Sequence, residues 1–488
     1  MSGIGRRAFL AGAAALLAAP RVVRAAAAEE VEAILAASKL GPLTGFALAD
    51  LGGEGLLEAH RPGVALPPAS VAKVTTTLFA LETPGPGRRF RTELRAGGPI
   101  EGGVLKGDLV LAGGGDPVLD TDALGDLVAA LRRQGLAAVE GRLLVAIGAL
   151  PRVEEIDAGQ PATAAYNPAV SGMNLNFNRV FLAWAPGKTP GKGEPTLALS
   201  APGARFEVPV GGIRAELVEG GPARHRFEGA EEIWSLPRAD FRGRGSVWLP
   251  VRAPGVNAGE VFRRLAAGAG LALPEAEVVA AADGRVMAVR ESEALEPMLR
   301  DMLRYSTNLT AEVVGLTASA AVGAGTSAGA SAEGGAAVDG LARSGAAMTA
   351  WARERFGLGD AVFVNHSGLS DASRVSAADQ VAMLRQAAEG ALPGLLRERP
   401  ILDARREPLE LPGVRMVAKT GTMDFVSGLA GYLDGRRRLA FAIFAADPEA
   451  RARIRPEERA NPPGARAWAA RARAQEHALL RRWAALYA

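Results

Sequence analysis

The spacing of apolar residues changes several times along the chain, and each change predicts an element. Pro67-Pro68 ends an extended segment, because proline cannot donate to a ladder. After it Val71, Val74, Leu78 and Leu81 fall at helical intervals. Leu295, Met298, Leu299, Met302 and Leu303 fill one helical face in the same way, with Pro297 suited to its first turn. Between these helices the period shortens to two. Residues 43–58 read as two strands around a Gly-rich turn, 107–112 and 142–147 as apolar strands, and Met173 to Asn178 as a half-buried one. More strands are expected over 196–252, and helices at 122–136 and 257–271. Residues 414–419, 428–434 and 438–446 predict three strands of one sheet, with a hairpin turn at Asp434-Gly435-Arg436. The Ala/Gly/Ser tract at 318–347 reads as a small-residue helix with a flexible part. An Arg-rich helix closes the chain, with Trp468, Leu479, Leu480, Trp483 and Leu486 on its apolar side. That side predicts docking on the sheet, with peripheral attachment to a membrane surface as the alternative.

This order of elements predicts an α+β chain in which a helix-and-sheet domain is split by a β-rich insertion. The expected parts are a first half at 29–95, one or two inserted modules at 96–282, and a second half at 283–488. A length of 488 residues fits two or three domains, and 48% apolar with 22% charged residues is an ordinary globular balance. With no cysteine there is no disulfide or thiolate metal site, and the four histidines show no metal-pair spacing; no metal and no cofactor are expected. Arg6-Arg7-Ala-Phe9-Leu10, an apolar run of about 11 residues and a small-residue end at Ala28 predict a leader of the twin-arginine type, and hence a periplasmic protein. The run is too short to be a transmembrane anchor, which needs roughly 20 residues. Loss of Arg6, Arg7, Arg21 and Arg24 with the leader would take the formal charge from +3 to −1. Nothing in the remainder signals nucleic-acid binding.

Candidate chemistry lies in three stretches. Ser70 stands at the start of the first helix with Lys73 one turn on, beside the apolar stripe. A serine hydroxyl needs an adjacent base, and a lysine held neutral by burial or by a second cation can be that base. Ser306-Thr307-Asn308 directly follows the helix at 295–304, and Lys419-Thr420-Gly421-Thr422 ends an apolar strand. The chain carries only six lysines against 50 arginines, yet two of the six occupy these motifs. A lysine can deprotonate and act as a compact charge, which arginine cannot. Three motifs in the order Ser-x-x-Lys, Ser-x-Asn, Lys-Thr-Gly are a strong signal where each alone is weak.

With these motifs the chain resembles the D-alanyl-D-alanine carboxypeptidase/endopeptidase family, the low-molecular-mass class C penicillin-binding proteins. The likeness extends to Gly107-Asp-Leu-Val, Gly113-Gly-Gly-Asp-Pro117, Asn308-Leu-Thr-Ala-Glu312, Ser367-Gly-Leu-Ser370 and Leu429-Ala-Gly-Tyr432. It also extends to the 236 positions between Ser70 and Ser306, where the family carries extra domains. Asn365-His366 stands where the family usually shows an acidic residue. The resemblance implies a β-lactamase/DD-peptidase-like catalytic domain of antiparallel sheet and helical lobe, acting on peptidoglycan stem peptides and acylated by β-lactams. It implies that Ser70 is the nucleophile and Lys73 its base, that Ser306 passes a proton to the leaving amine, and that Asn308 orients Lys73. Lys419 and Thr420 would hold the terminal carboxylate, Gly421 would let substrate lie along the strand, and the N–H groups of Ser70 and Thr422 would form the oxyanion hole.

Other readings compete. A β-lactamase or esterase on the same scaffold would need a group that activates the deacylating water, and a wall-binding protein without turnover would still accept a β-lactam. Gly325-Thr-Ser327-Ala-Gly329 matches a nucleophile elbow, with His366 or His477 as a conceivable base, but it lies in a tract where such matches arise by chance. His366 reads better as a polar loop residue. Gly187-Lys188-Thr189 lacks the upstream glycine of a phosphate loop.

Overall fold

The computed structural model describes residues 30–41, 43–187, 194–323 and 336–488. The leader-like start, the elbow-like Gly325–Gly329 and Lys188-Thr189 lie outside the described residues.

One half of the molecule is built on a five-stranded antiparallel sheet. Its spatial order is Arg415–Met423, Val426–Asp434, Arg438–Ala446, Thr44–Asp50 and Glu58–His60. Both faces are covered, and one of them is rich in alanine although Tyr432 and Phe444 also lie on it. Phe46, Leu48, Leu439, Phe441 and Ile443 point to the face where Leu479, Leu480 and Trp483 of the terminal helix Ala465–Leu486 dock. Ala47, Ala49, Ala430, Ala440 and Ala442 point to the other face, against the helical lobe that contains Val74, Phe79, Met302 and Val313. Small residues on that face let helices and turns approach the sheet closely. The apolar side of the terminal helix is therefore taken up by protein, with Trp468 packed on Phe425 and only Leu486 left exposed. No described helix is long and apolar enough to cross a membrane.

The insertion forms two layered units. In the first, a sheet ordered Ala276–Val279, Leu143–Ala146, Leu109–Gly113, Arg91–Ala96 and Arg285–Glu291 packs on the helices Thr121–Arg133 and Pro254–Gly268. In the second, a four-stranded and a three-stranded sheet enclose Trp234, Leu182, Val180 and Leu249. The chain enters and leaves the insertion through one paired crossing. Phe90 N donates to Ser292 Oγ at 3.0 Å, Ser292 N donates to Phe90 O at 2.9 Å, and Arg91 pairs with Glu291. The inserted sheet therefore opens at Arg91 and closes at Glu291, outside the cuts expected at 96 and 282, because its first and last strands in the chain, Arg91–Ala96 and Arg285–Glu291, pair with each other.

One expectation fails for an identifiable reason. Met173–Asn178 is no strand: Met173 and Leu175 are buried, but so are Asn174, Asn176 and Asn178. The asparagines instead bond to backbone: Asn174 Oδ1 accepts from Ser171 N and Asn178 Oδ1 from Leu175 N, both three residues away, and Asn176 Oδ1 accepts from the distant Thr121 N. Residues 176–178 take positive φ, which asparagine tolerates better than most residues. Lys419-Thr420-Gly421-Thr422 lies at the end of its strand, Arg415–Met423, paired throughout with Ser427–Ala430.

Candidate active site

Ser70 occupies the middle of a tight turn, Ala69–Val71, that leads into the helix Ala72–Glu82. Ala69 is held at φ +46, a left-handed conformation that costs an alanine about 1–2 kcal/mol. Two glycines hold it there. A Cβ on Gly368 would lie 1.9 Å from Ala69 O, and one on Gly421 would lie 2.5 Å from Pro68 O and 3.0 Å from Ser70 N. Gly421 thus lets the strand run against the nucleophile's own turn, a nearer reason for glycine than room for a substrate.

Lys73 is fully buried, and its ammonium nitrogen meets three oxygens from three parts of the chain. They are Ser70 Oγ at 3.0 Å, Asn308 Oδ1 at 2.7 Å and Ser367 O at 2.8 Å. The last two can only accept, so they take two N–H groups and leave the third direction for Ser70. Burial, then the Lys419 charge, holds the Lys73 amine well below its ordinary range. A neutral Lys73 donates to the two fixed acceptors and aims its lone pair at the serine hydroxyl.

Each acceptor is itself held. Asn308 opens the helix Asn308–Ala321 and donates through Nδ2 to Tyr166 O at 2.9 Å, which turns its Oδ1 toward Lys73. Tyr166 belongs to the insertion, so the inserted part completes the site. Glu312, one turn beyond Asn308 and fully buried, accepts from His366 N at 3.0 Å and Ser367 N at 2.8 Å. That clamp fixes the Ser367 carbonyl. Burial raises the Glu312 carboxyl, against the pull of these donors and of Lys73. His366 lies in a loop, as the sequence reads, but it is fully buried. Its Nε2 pairs with Ser344 Oγ at 2.7 Å, its ring replaces the side chain missing at Gly315, and burial lowers it to about 3, so it stays neutral.

Ser306 caps the preceding helix in a left-handed conformation, φ +60, and accepts from Lys419 Nζ at 2.9 Å. Lys419 also donates to Thr420 O at 2.7 Å, and burial, then Arg399, pushes it down to about 7. Arg399 donates through Nη2 to Thr420 Oγ1 at 3.3 Å. The structure therefore brings Ser70, Lys73 and Asn308 into one bonded cluster and Ser306, Lys419 and Thr420 into a second, with Gly421 against the Ser70 turn and Thr422 next along the strand. Four participants were not singled out as site residues: Ser367 and Tyr166 through their carbonyls, Glu312, and Arg399. Glu312 and Ser367 lie in stretches that carry the family likeness. A backbone carbonyl such as that of Tyr166 leaves no mark on side-chain identity. Among the described residues no group of acidic residues or histidines is placed to hold a metal ion.

The chain is similar to known proteins along most of its length. A D-alanyl-D-alanine carboxypeptidase of Actinomadura sp. (strain R39) is 27% identical over 85% of this chain and 80% of its own length. Penicillin binding protein 4 (dacB) from Haemophilus influenzae superposes with a TM-score of 0.69 at 18% identity, covering 85% of this chain and 93% of its own. Its complex with a β-lactam gives 0.66 at 20% identity, over 85% and 92%. At these identities the structures establish the shared fold. The model of the D-Ala-D-Ala carboxypeptidase 3 (S13) family matches residues 27–460, and the chain belongs to that family.

Proposed function

We propose that the protein is a serine-type D-Ala-D-Ala carboxypeptidase and DD-endopeptidase that processes peptidoglycan stem peptides through an acyl-enzyme on Ser70, and that β-lactams acylate the same serine. The observation that carries this reading is the Lys73 amine, two of whose bonds end on fixed acceptors while the third meets Ser70 Oγ at 3.0 Å. Family membership supports it.

In the proposed reaction Lys73 Nζ takes the Ser70 proton as Oγ bonds to the carbonyl carbon between the two D-alanines. The resulting oxyanion is met by the N–H groups of Ser70 and Thr422; one such donor typically contributes about 2.7–4 kcal/mol to the barrier. Collapse breaks the C–N bond as Ser306, its oxygen bonded by Lys419, gives its proton to the leaving amine and receives in turn the proton that Lys73 took from Ser70. Lys419 and Thr420 hold the terminal carboxylate, and water then cleaves the ester. Glu312 is no candidate for activating that water in a β-lactamase, since both its oxygens are engaged by the backbone at 366–367. The Arg6-Arg7 leader pattern supports export to the periplasm, where the substrate lies.

Incubation with fluorescent penicillin, followed by a D-Ala-D-Ala pentapeptide, tests the reading. The expected result is a stable label, release of D-alanine, and loss of both in Ser70→Ala. Rapid penicillin turnover would favour the β-lactamase reading, and a label without D-alanine release the wall-binding one.

A further inference from the structure

Arg399 is a half-buried cation beside the site that the reaction above does not use. It lies on the segment that follows the short helix Leu392–Leu395 and pairs with the outer edge of strand Arg415–Met423. Arg399 N donates to Met416 O at 2.9 Å, and Ala418 N donates to Arg397 O at 3.0 Å. The described bridge on this edge is Glu398 with Val417, two positions short of Lys419. From there the guanidinium reaches forward along the strand, with Nε to Ala418 O and Nη2 to Thr420 Oγ1, both at 3.3 Å. Both acceptors are neutral, and no carboxylate among the described residues lies within ion-pairing distance of it. The nearest acidic influence, Glu476 on the terminal helix, is buried, raised to about 7, and bonded by Ser427 Oγ at 2.6 Å.

Arg399 thus bonds the Thr420 hydroxyl, while Lys419 bonds the carbonyl of the same residue. Because the hydroxyl oxygen accepts from Arg399, its proton is left to donate outward. A hydroxyl donor and a guanidinium with unused N–H groups, beside an ammonium, match a carboxylate.

We propose that Arg399 is a specificity-determining residue that, with Thr420 and Lys419, selects peptides ending in a free carboxylate. This rests on the reading under Proposed function. Lys419 draws the carboxylate from the Ser306 side, and Arg399 draws it from the open edge, directly and through the Thr420 hydroxyl.

The test compares a D-Ala-D-Ala peptide with its C-terminal amide in wild type, Arg399→Gln and Arg399→Lys, after unfolding temperatures confirm intact folding. Arg399→Gln is expected to lose about 10- to 100-fold in kcat/KM on the acid, mostly in KM, and less than about threefold on the amide. Arg399→Lys should recover part of the loss. Equal losses on both peptides, or none on the acid, would overturn the proposal. A turnover-free arm measures calorimetric binding of the acid peptide in a Ser70→Ala background, with and without Arg399→Gln. Unchanged affinity there would also overturn it. A wild type that binds but releases no D-alanine would count against the enzymatic reading alone.

Discussion

Lys73 shows how one residue acquires its chemistry from its neighbours. Its helix supplies only the spacing to Ser70. The neutral state comes from burial and the Lys419 charge, and the direction of the lone pair from Asn308 Oδ1 and the Ser367 carbonyl. Lys419 is poised differently. Burial and Arg399 lower it to about 7, and its proposed task, attracting a carboxylate, requires the proton. These signs set a pH dependence. On the acid side kcat/KM should rise with pH as Lys73 is deprotonated. Above about pH 7 it should fall as Lys419 loses its charge, by the part of the attraction that Lys419 supplies. In Arg399→Gln the alkaline limb should move to higher pH, because a like charge has been removed. A pH profile of D-alanine release checks both limbs; a rate that climbs steadily to pH 9 would deny Lys419 this role.

At the scale of elements, the site is a place where a strand, a turn and a loop approach closer than side chains allow. Gly421 faces Pro68 O and Ser70 N, and Gly368 faces Ala69 O. Gly421→Ala would set a methyl 2.5 Å from a carbonyl oxygen and force the strand off the Ser70 turn. Such overpacking costs about 1–3 kcal/mol of stability. A displacement of about 1 Å in the site can cost roughly 100-fold in rate. Gly421→Ala is therefore expected to stay folded but to be acylated by penicillin at least about 100-fold more slowly, measured by label incorporation over time. Acylation at the wild-type rate would mean that the close approach does not set the geometry. The failed strand at Met173–Asn178 belongs to this scale too. Alternation predicted exposed asparagines, but they are buried and their side chains compete successfully with a ladder for the backbone.

At the scale of the molecule, the insertion and the catalytic half meet at the reaction centre. Tyr166 O fixes the Asn308 amide, and the segment that bears it is tied into the insertion by Arg252. That buried guanidinium donates to Glu154 O, Asn167 O and Ala162 O, while Arg252 N is bound by Glu232. A site assembled from such distant parts exists only in the finished fold. This suits the proposed twin-arginine export, whose cargo crosses folded. Arg6-Arg7→Lys-Lys is expected to strand active, penicillin-labelled protein in the cytoplasm of a host that exports the wild type. Fractionation with fluorescent penicillin reads the outcome, and unchanged export would refute that route.

From the sequence alone came the kinds of residue proposed to do the chemistry and the elements that carry them. Ser70, Lys73, Ser306, Asn308 and Lys419 are legible because hydroxyl, amine and amide side chains recur in three motifs in one order, in a chain that otherwise writes arginine for lysine. The terminal helix and the three-strand sheet are legible because burial imposes a period. Tertiary structure alone decided which atoms hold Lys73, why Gly421 is glycine, where the insertion closes, and that His366 is buried. The physical reason is common to these. Backbone carbonyls, excluded Cβ atoms and contacts between positions hundreds of residues apart act through geometry, and a linear pattern records side-chain type but not distance.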